Sequence, residues 1–126
     1  MIVPPLSEAA RKAALQAKSR EQAIALVKSA KLYVKGEGQA TDTVGYIVES
    51  AADFHRRAGG FNRWDWSAEL GKGNEWIVTL TFDEARSTST GKQRVTKTAQ
   101  WAVDFKTRRV RYLDPNAKGF SYLPPY

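Results

Sequence analysis

The chain has 126 residues, 42% of them hydrophobic and 26% charged, and its 20 Lys/Arg against 13 Asp/Glu give a formal net charge of +7. That length suits one domain, residues 1–126, with a single hydrophobic core, and the composition suits a globular rather than a disordered chain. There is no cysteine, which excludes disulfides, thiolate catalysis and cysteine-ligated metal centres, and no apolar run approaches the ~20 residues that span a bilayer.

The charge is segregated. Residues 1–36 carry +5, residues 37–83 carry −4 and the remainder +6, so different partners or mutual attraction are more natural than a uniformly basic surface. The opening Met1-Ile2-Val3-Pro4-Pro5 lacks the basic start and apolar stretch of a signal peptide. The expectation is a soluble chain without membrane insertion, at home in the cytoplasm or as a soluble domain of a cell-envelope protein.

In chain order, a helical layer is predicted over residues 7–58. Ser7 suits the N-cap of an alanine-rich run to Lys18, and Ser19 with Gln22 forms a second capping box before Ala23, Ile24, Leu26 and Val27. The spacing predicts two helices, or one bent near Ser19, ending near Lys35-Gly36. Lys28, Lys31 and Lys35 read as a solvated helix face. A loop at residues 36–39 precedes a further helix capped by Thr41 or Asp42. Its apolar stripe is Val44, Ile47, Val48, Ala51 and Phe54.

Residues 63–113 read as an antiparallel sheet, because apolar residues recur there at period two. Four strands are predicted, at about residues 63–70, 75–83, 94–105 and 110–113. One face gathers Trp64, Trp66, Trp76, Leu80, Phe82 and Trp101. The other is polar and rich in threonine, as a solvent-facing sheet surface would be. The Ser/Thr-rich link 84–92 reads as a mobile loop. The tail 114–126 contains Phe120 and Tyr122, one of which should dock on the domain. The fold class is therefore α+β, with two or three N-terminal helices packed on a curved four-stranded antiparallel meander.

No cofactor or metal site is indicated. His55 is the single histidine, and the glycine pairs at 36/38 and 71/73 match no phosphate-binding loop. Asp65 with Glu69, and Glu49 with Asp53, are candidate acid/base pairs, yet each has an arginine near in sequence to neutralise it. The densest basic and aromatic set is Lys97, Trp101, Lys106, Arg108–Arg109, Arg111 and Tyr112.

The order of helices then four antiparallel strands resembles the cone-shaped NTF2-like and cystatin-like domains. The phrase Trp101-Ala102-Val103-Asp104-Phe105-Lys106-Thr107-Arg108-Arg109-Val110 resembles the closing hairpin of PepSY-type bacterial domains, with Arg108 where their turn glycine would be. Some NTF2-like members are isomerases or dehydratases with an Asp/His pocket, and others are noncatalytic assembly domains. The lack of a second histidine favours the noncatalytic branch.

The leading functional expectation is a noncatalytic domain that binds another protein or itself. The partner surfaces expected are the aromatic edge at Phe61, Trp64 and Trp66 and the polar sheet face at Arg94, Arg109 and Arg111. Nonspecific nucleic-acid binding through the basic flanks is second. A small-ligand or enzyme pocket using His55, Asp53 or Asp65 is third.

Overall fold

The computed structural model describes residues 8–34, 38–59, 63–73 and 75–122, with side-chain detail at 18–32, 42–57, 63–73 and 75–122. Helix α1, Glu8–Ser29, runs through Ser19 without a break, correcting the expectation of two separate helices. The residues around Ser19 are Ala, Lys, Gln, Arg and Glu, good helix formers that make a second start unnecessary. The helix stops at Ser29, well before Lys35. The Ala30 amide closes its last turn on the Val27 carbonyl at 3.1 Å, and the Leu-Tyr-Val sequence that follows favours strand.

Strands β1, Lys31–Val34, and β2, Gly38–Thr43, pair as an antiparallel ribbon. No local pattern announces this ribbon, and Gly38 and Gln39 belong to β2 instead of the expected loop. Helix α2, Val44–Gly59, follows at once. Its N-cap is Thr43, whose hydroxyl accepts the Tyr46 amide at 3.2 Å, rather than Thr41 or Asp42, because strand pairing holds the chain extended up to Thr43. Val44, Val48 and Ala52 are buried, whereas Phe54 is 66% exposed. Phe54 lies at the margin of the stripe and meets His55 edge-on at 5.3 Å.

The main sheet is β3, Trp64–Leu70; β4, Glu75–Thr88; β5, Gly91–Asp104; and β6, Arg109–Tyr112, hydrogen-bonded in that order. This is the antiparallel meander that the alternation predicts. The link 84–92 is no mobile loop: the β4–β5 ladder continues to Thr88↔Gly91. Threonine-rich strand propensity carries it there, and Gly91, at φ +128°, supplies the turn's positive-φ residue.

Val78, Leu80, Phe82, Trp101 and Val103 form one buried cluster with Ala23 and Val27 of α1 and Val44 and Val48 of α2. Leu70, placed on this face by its parity, is 57% exposed because it sits at the end of the edge strand β3. The opposite face is mostly polar but not all wet, since Asp83 and Ala102 are buried. Asp83 accepts the Thr96 hydroxyl from across the strand pair, which satisfies a buried carboxylate oxygen.

The tail folds back as helix α3, Pro115–Ser121, capped by Asp114. Phe120 docks as expected, with its ring 5.3 Å from Phe82 and 6.2 Å from Trp64. At Gly45 α2 comes close to α1. A Cβ there would lie 2.9 Å from the Lys28 carbonyl oxygen, so only glycine fits without movement.

Candidate functional site

The sequence-predicted partner residues are scattered. Trp64 and Trp66 are half-buried on the edge strand β3. The Trp64 ring stacks on His55 at 5.9 Å and tilts against Phe82 at 4.9 Å. Trp66 lies 5.5 Å from Trp101, and the Lys28 ammonium sits over its face at 5.5 Å. Both tryptophans thus pack beneath helical side chains. Arg94 is exposed on the outer part of the β4–β5 hairpin. Arg109 and Arg111 are on β6, three strands across from β3, a separation of roughly 14 Å. Phe61 lies outside the described residues.

His55, Asp53 and Asp65 do not converge through any hydrogen bond or ion pair among the described residues. The His55 Nδ1 accepts the Ala85 amide at 3.2 Å, which places the ring's proton on Nε2. Asp53 pairs with Arg57 at 3.0 Å and Asp65 faces Arg63 at 3.6 Å, all four exposed. These are surface pairs of little energetic weight. No group of three or more metal-ligating side chains occurs among the described residues. No described helix is long and apolar enough to cross a membrane.

What the fold does assemble is a cleft of about 970 Å³ beside β6, bounded by the α1–β1 junction and the end of α3. Its floor is apolar and aromatic, from Leu26, Ala30, Val44, Trp101, Val110 and Tyr112. Its exposed rim is cationic, from Lys31, Arg108, Arg109 and Arg111, and no Asp or Glu lines it among the described residues. Comparisons with family models, curated proteins and solved structures find no match for this chain. The cleft's chemistry is therefore read from its own residues.

Each wall has a local cause. The β5–β6 turn is built by Asp104, whose Oδ1 accepts the amides of Lys106 at 2.8 Å and Thr107 at 3.4 Å, an Asx-type turn. The turn closes with Arg108 at φ +57°, the one non-glycine residue in the left-handed region among those described. That conformation costs an L-residue about 1–2 kcal/mol, yet it is occupied by a cation that lines the cleft. Arg111 makes a bidentate contact with Glu75, at 3.0 and 3.3 Å, which offsets part of its charge. Lys31, Arg108 and Arg109 have no such partner among the described residues.

Sequence alone places Arg108, Arg109, Arg111 and Tyr112 in its densest basic set. It misses Lys31, which reads as one more lysine of a helix face until the helix is known to stop at Ser29. Leu26 and Tyr122 are missed because only the fold brings α1 and the tail to β6.

Proposed function

We propose that this is a noncatalytic binding domain whose partner is another protein carrying an acidic segment. The observation that carries this reading is the cleft beside β6, which among the described residues has apolar and aromatic residues at its floor, four cations at its rim and no carboxylate in its lining. Buried aromatic and aliphatic floors supply binding energy, while rim charges select and steer the partner. The candidate residues are Lys31, Arg108, Arg109 and Arg111, with Tyr112 on the floor.

The test is site-directed photocrosslinking from the exposed Thr107 beside the cleft in cells, followed by identification of the adduct and by affinity measurement with the purified partner. The expected partner surface is acidic, and Arg109→Glu or Arg108→Glu lowers its affinity tenfold or more, in line with the several kcal/mol that like-charge juxtaposition costs. Unchanged affinity in both variants would remove the cleft from the proposal. Self-association, the other form of this reading, is checked by sedimentation of the same variants.

Nucleic-acid binding is a second reading with its own support. The outer part of the β4–β5 hairpin extends past both β3 and β6 as a two-stranded ribbon, and residues 86–94 are all exposed. It carries Arg86, Lys92 and Arg94, and no carboxylate lies between Ala85 and Lys97. A two-stranded ribbon fits a major groove about 12 Å wide. Titration of a short duplex at about 50 and 200 mM salt discriminates, because phosphate-driven affinity falls steeply over that range. Absence of binding at the lower salt disposes of this reading.

A further inference from the structure

Five consecutive residues, Arg108 to Tyr112, line the cleft. A pocket on one face of a strand takes only alternate side chains, since neighbours point to opposite faces. A cleft touched by every residue of β6 runs along the strand's edge and wraps both of its faces. In the ladder order β6 is the last strand of the sheet among the described residues. The parity of the ladder shows which backbone groups face outward. The Leu113 amide donates to the Gln100 carbonyl at 2.8 Å, and the register through Trp101↔Tyr112 and Asp104↔Arg109 has no bulge. Bonded positions in an antiparallel pair recur every second residue. Arg109, Arg111 and Leu113 thus bond inward to β5, and the N–H and C=O groups of Val110 and Tyr112 turn outward, into the cleft.

Resting on the reading of the cleft as an acidic-segment site, we infer that the partner segment binds as an added antiparallel strand on β6. Its outward-bonding partners are the Val110 and Tyr112 backbones, and its sequence alternates acidic with apolar residues. In an antiparallel addition, residues opposite Arg109 and Arg111 share their face and are acidic. Residues opposite Val110 and Tyr112 share the floor side and are apolar. Strand addition of this kind takes affinity from main-chain bonds and specificity from alternate side chains. The charges also exclude one occupant. Two copies of β6 placed edge to edge would set arginines against arginines, the device by which edge strands avoid pairing with themselves. A second copy of this chain is thus disfavoured at this edge, and an acidic strand is complementary to it.

The test uses the full chain and a peptide of about ten residues alternating Glu with Val, long enough to cover a short strand. Two further versions are N-methylated, one at every Val amide and one at every Glu amide. The Val amides face β6 in the antiparallel addition. Their methylation removes two main-chain bonds and weakens binding at least about tenfold, while methylation of the Glu amides changes affinity little. Arg109→Glu weakens the unmethylated peptide. Equal affinity of the two methylated versions, with Arg109→Glu still weakening binding, overturns strand addition and leaves the acidic-segment site standing. No binding by any version, with Arg109→Glu also leaving the photocrosslinked partner's affinity unchanged, overturns both. A tenfold gain in peptide affinity on deleting residues 123–126 names the chain's own terminal segment as the occupant and overturns the inference. Tighter binding of a 20-bp duplex than of the peptide at this edge, lost in Arg109→Glu, does the same.

Discussion

The indole Nε1 of Trp101 donates to the hydroxyl of Ser121 at 3.0 Å, joining the centre of the sheet to the last residue of α3. Ser121 Oγ in turn donates to the Ala117 carbonyl at 2.7 Å, and both Trp101 and Ser121 are buried. Replacing Ser121 by Ala deletes the acceptor and leaves the buried indole N–H without its protein partner. A buried donor without a partner costs about 1–3 kcal/mol. Urea unfolding should place Ser121→Ala lower in stability by that amount with an unchanged m-value, and an unshifted midpoint would show that water reaches Trp101.

Asp114 serves two structures at once. Its Oδ1 accepts the Ala117 amide at 2.8 Å as the N-cap of α3, and its Oδ2 accepts the Gln100 amide of β5 at 3.0 Å. Losing a cap alone costs about 1 kcal/mol, and the strand amide adds a second unsatisfied donor. Asp114→Ala is therefore expected to destabilise by roughly 2 kcal/mol, with Asp114→Asn retaining part of that. Because Asp114 and Ser121 hold the same short helix, the double variant should lose less than the sum of the two. Strict additivity in a denaturation cycle would mean that α3 is held at its ends independently.

Two glycines predict opposite signs for the same substitution. Gly45→Ala pushes a methyl group against the Lys28 carbonyl, a backbone atom that can yield only by separating α1 from α2. Overpacking of this sort costs about 1–3 kcal/mol. Gly119, inside α3, leaves open space within 4 Å of where an alanine methyl would stand, and alanine there restricts the unfolded chain, for a gain of about 0.4–1 kcal/mol. Thermal melts of the pair should therefore move in opposite directions. A rise in midpoint for Gly45→Ala would mean that the two helices are not tightly apposed.

The sheet is legible in the sequence because period-two alternation survives wherever one face is dry, and the register Trp64↔Phe82 and Trp101↔Tyr112 brings together residues that the alternation puts on one face. The β1–β2 ribbon is not legible. Lys31-Leu32-Tyr33-Val34 continues the 3.6-residue lysine spacing of α1, and only the pairing of Lys31 with Thr43 decides for strand. The 84–92 segment misleads because Ser, Thr and Gly signal loop by composition, while a ladder to Thr88↔Gly91 uses the same threonines as strand formers. At the cleft, Arg109 and Arg111 stand out as charges. That they flank the outward backbone of Val110 and Tyr112, opposite the end of α1, is a tertiary fact that no local pattern encodes.

Arg108 allows the cost of the cleft to be measured against its use. The left-handed conformation at φ +57° costs an arginine about 1–2 kcal/mol, whereas glycine adopts it freely and loses about 0.5–1 kcal/mol more chain entropy on folding. Arg108→Gly should therefore raise unfolding stability by up to about 1 kcal/mol. Arg108→Asn, which tolerates the same backbone and also lacks the charge, should be neutral to stabilising. Both variants should bind the acidic alternating peptide more weakly, since a rim cation is gone. Stability rising while affinity falls is the pattern of backbone strain retained for a binding role. Chemical denaturation and peptide titration on the same samples measure the two sides together. If Arg108→Gly is instead less stable, the arginine's own contacts hold the turn, and its place at the rim follows from folding alone.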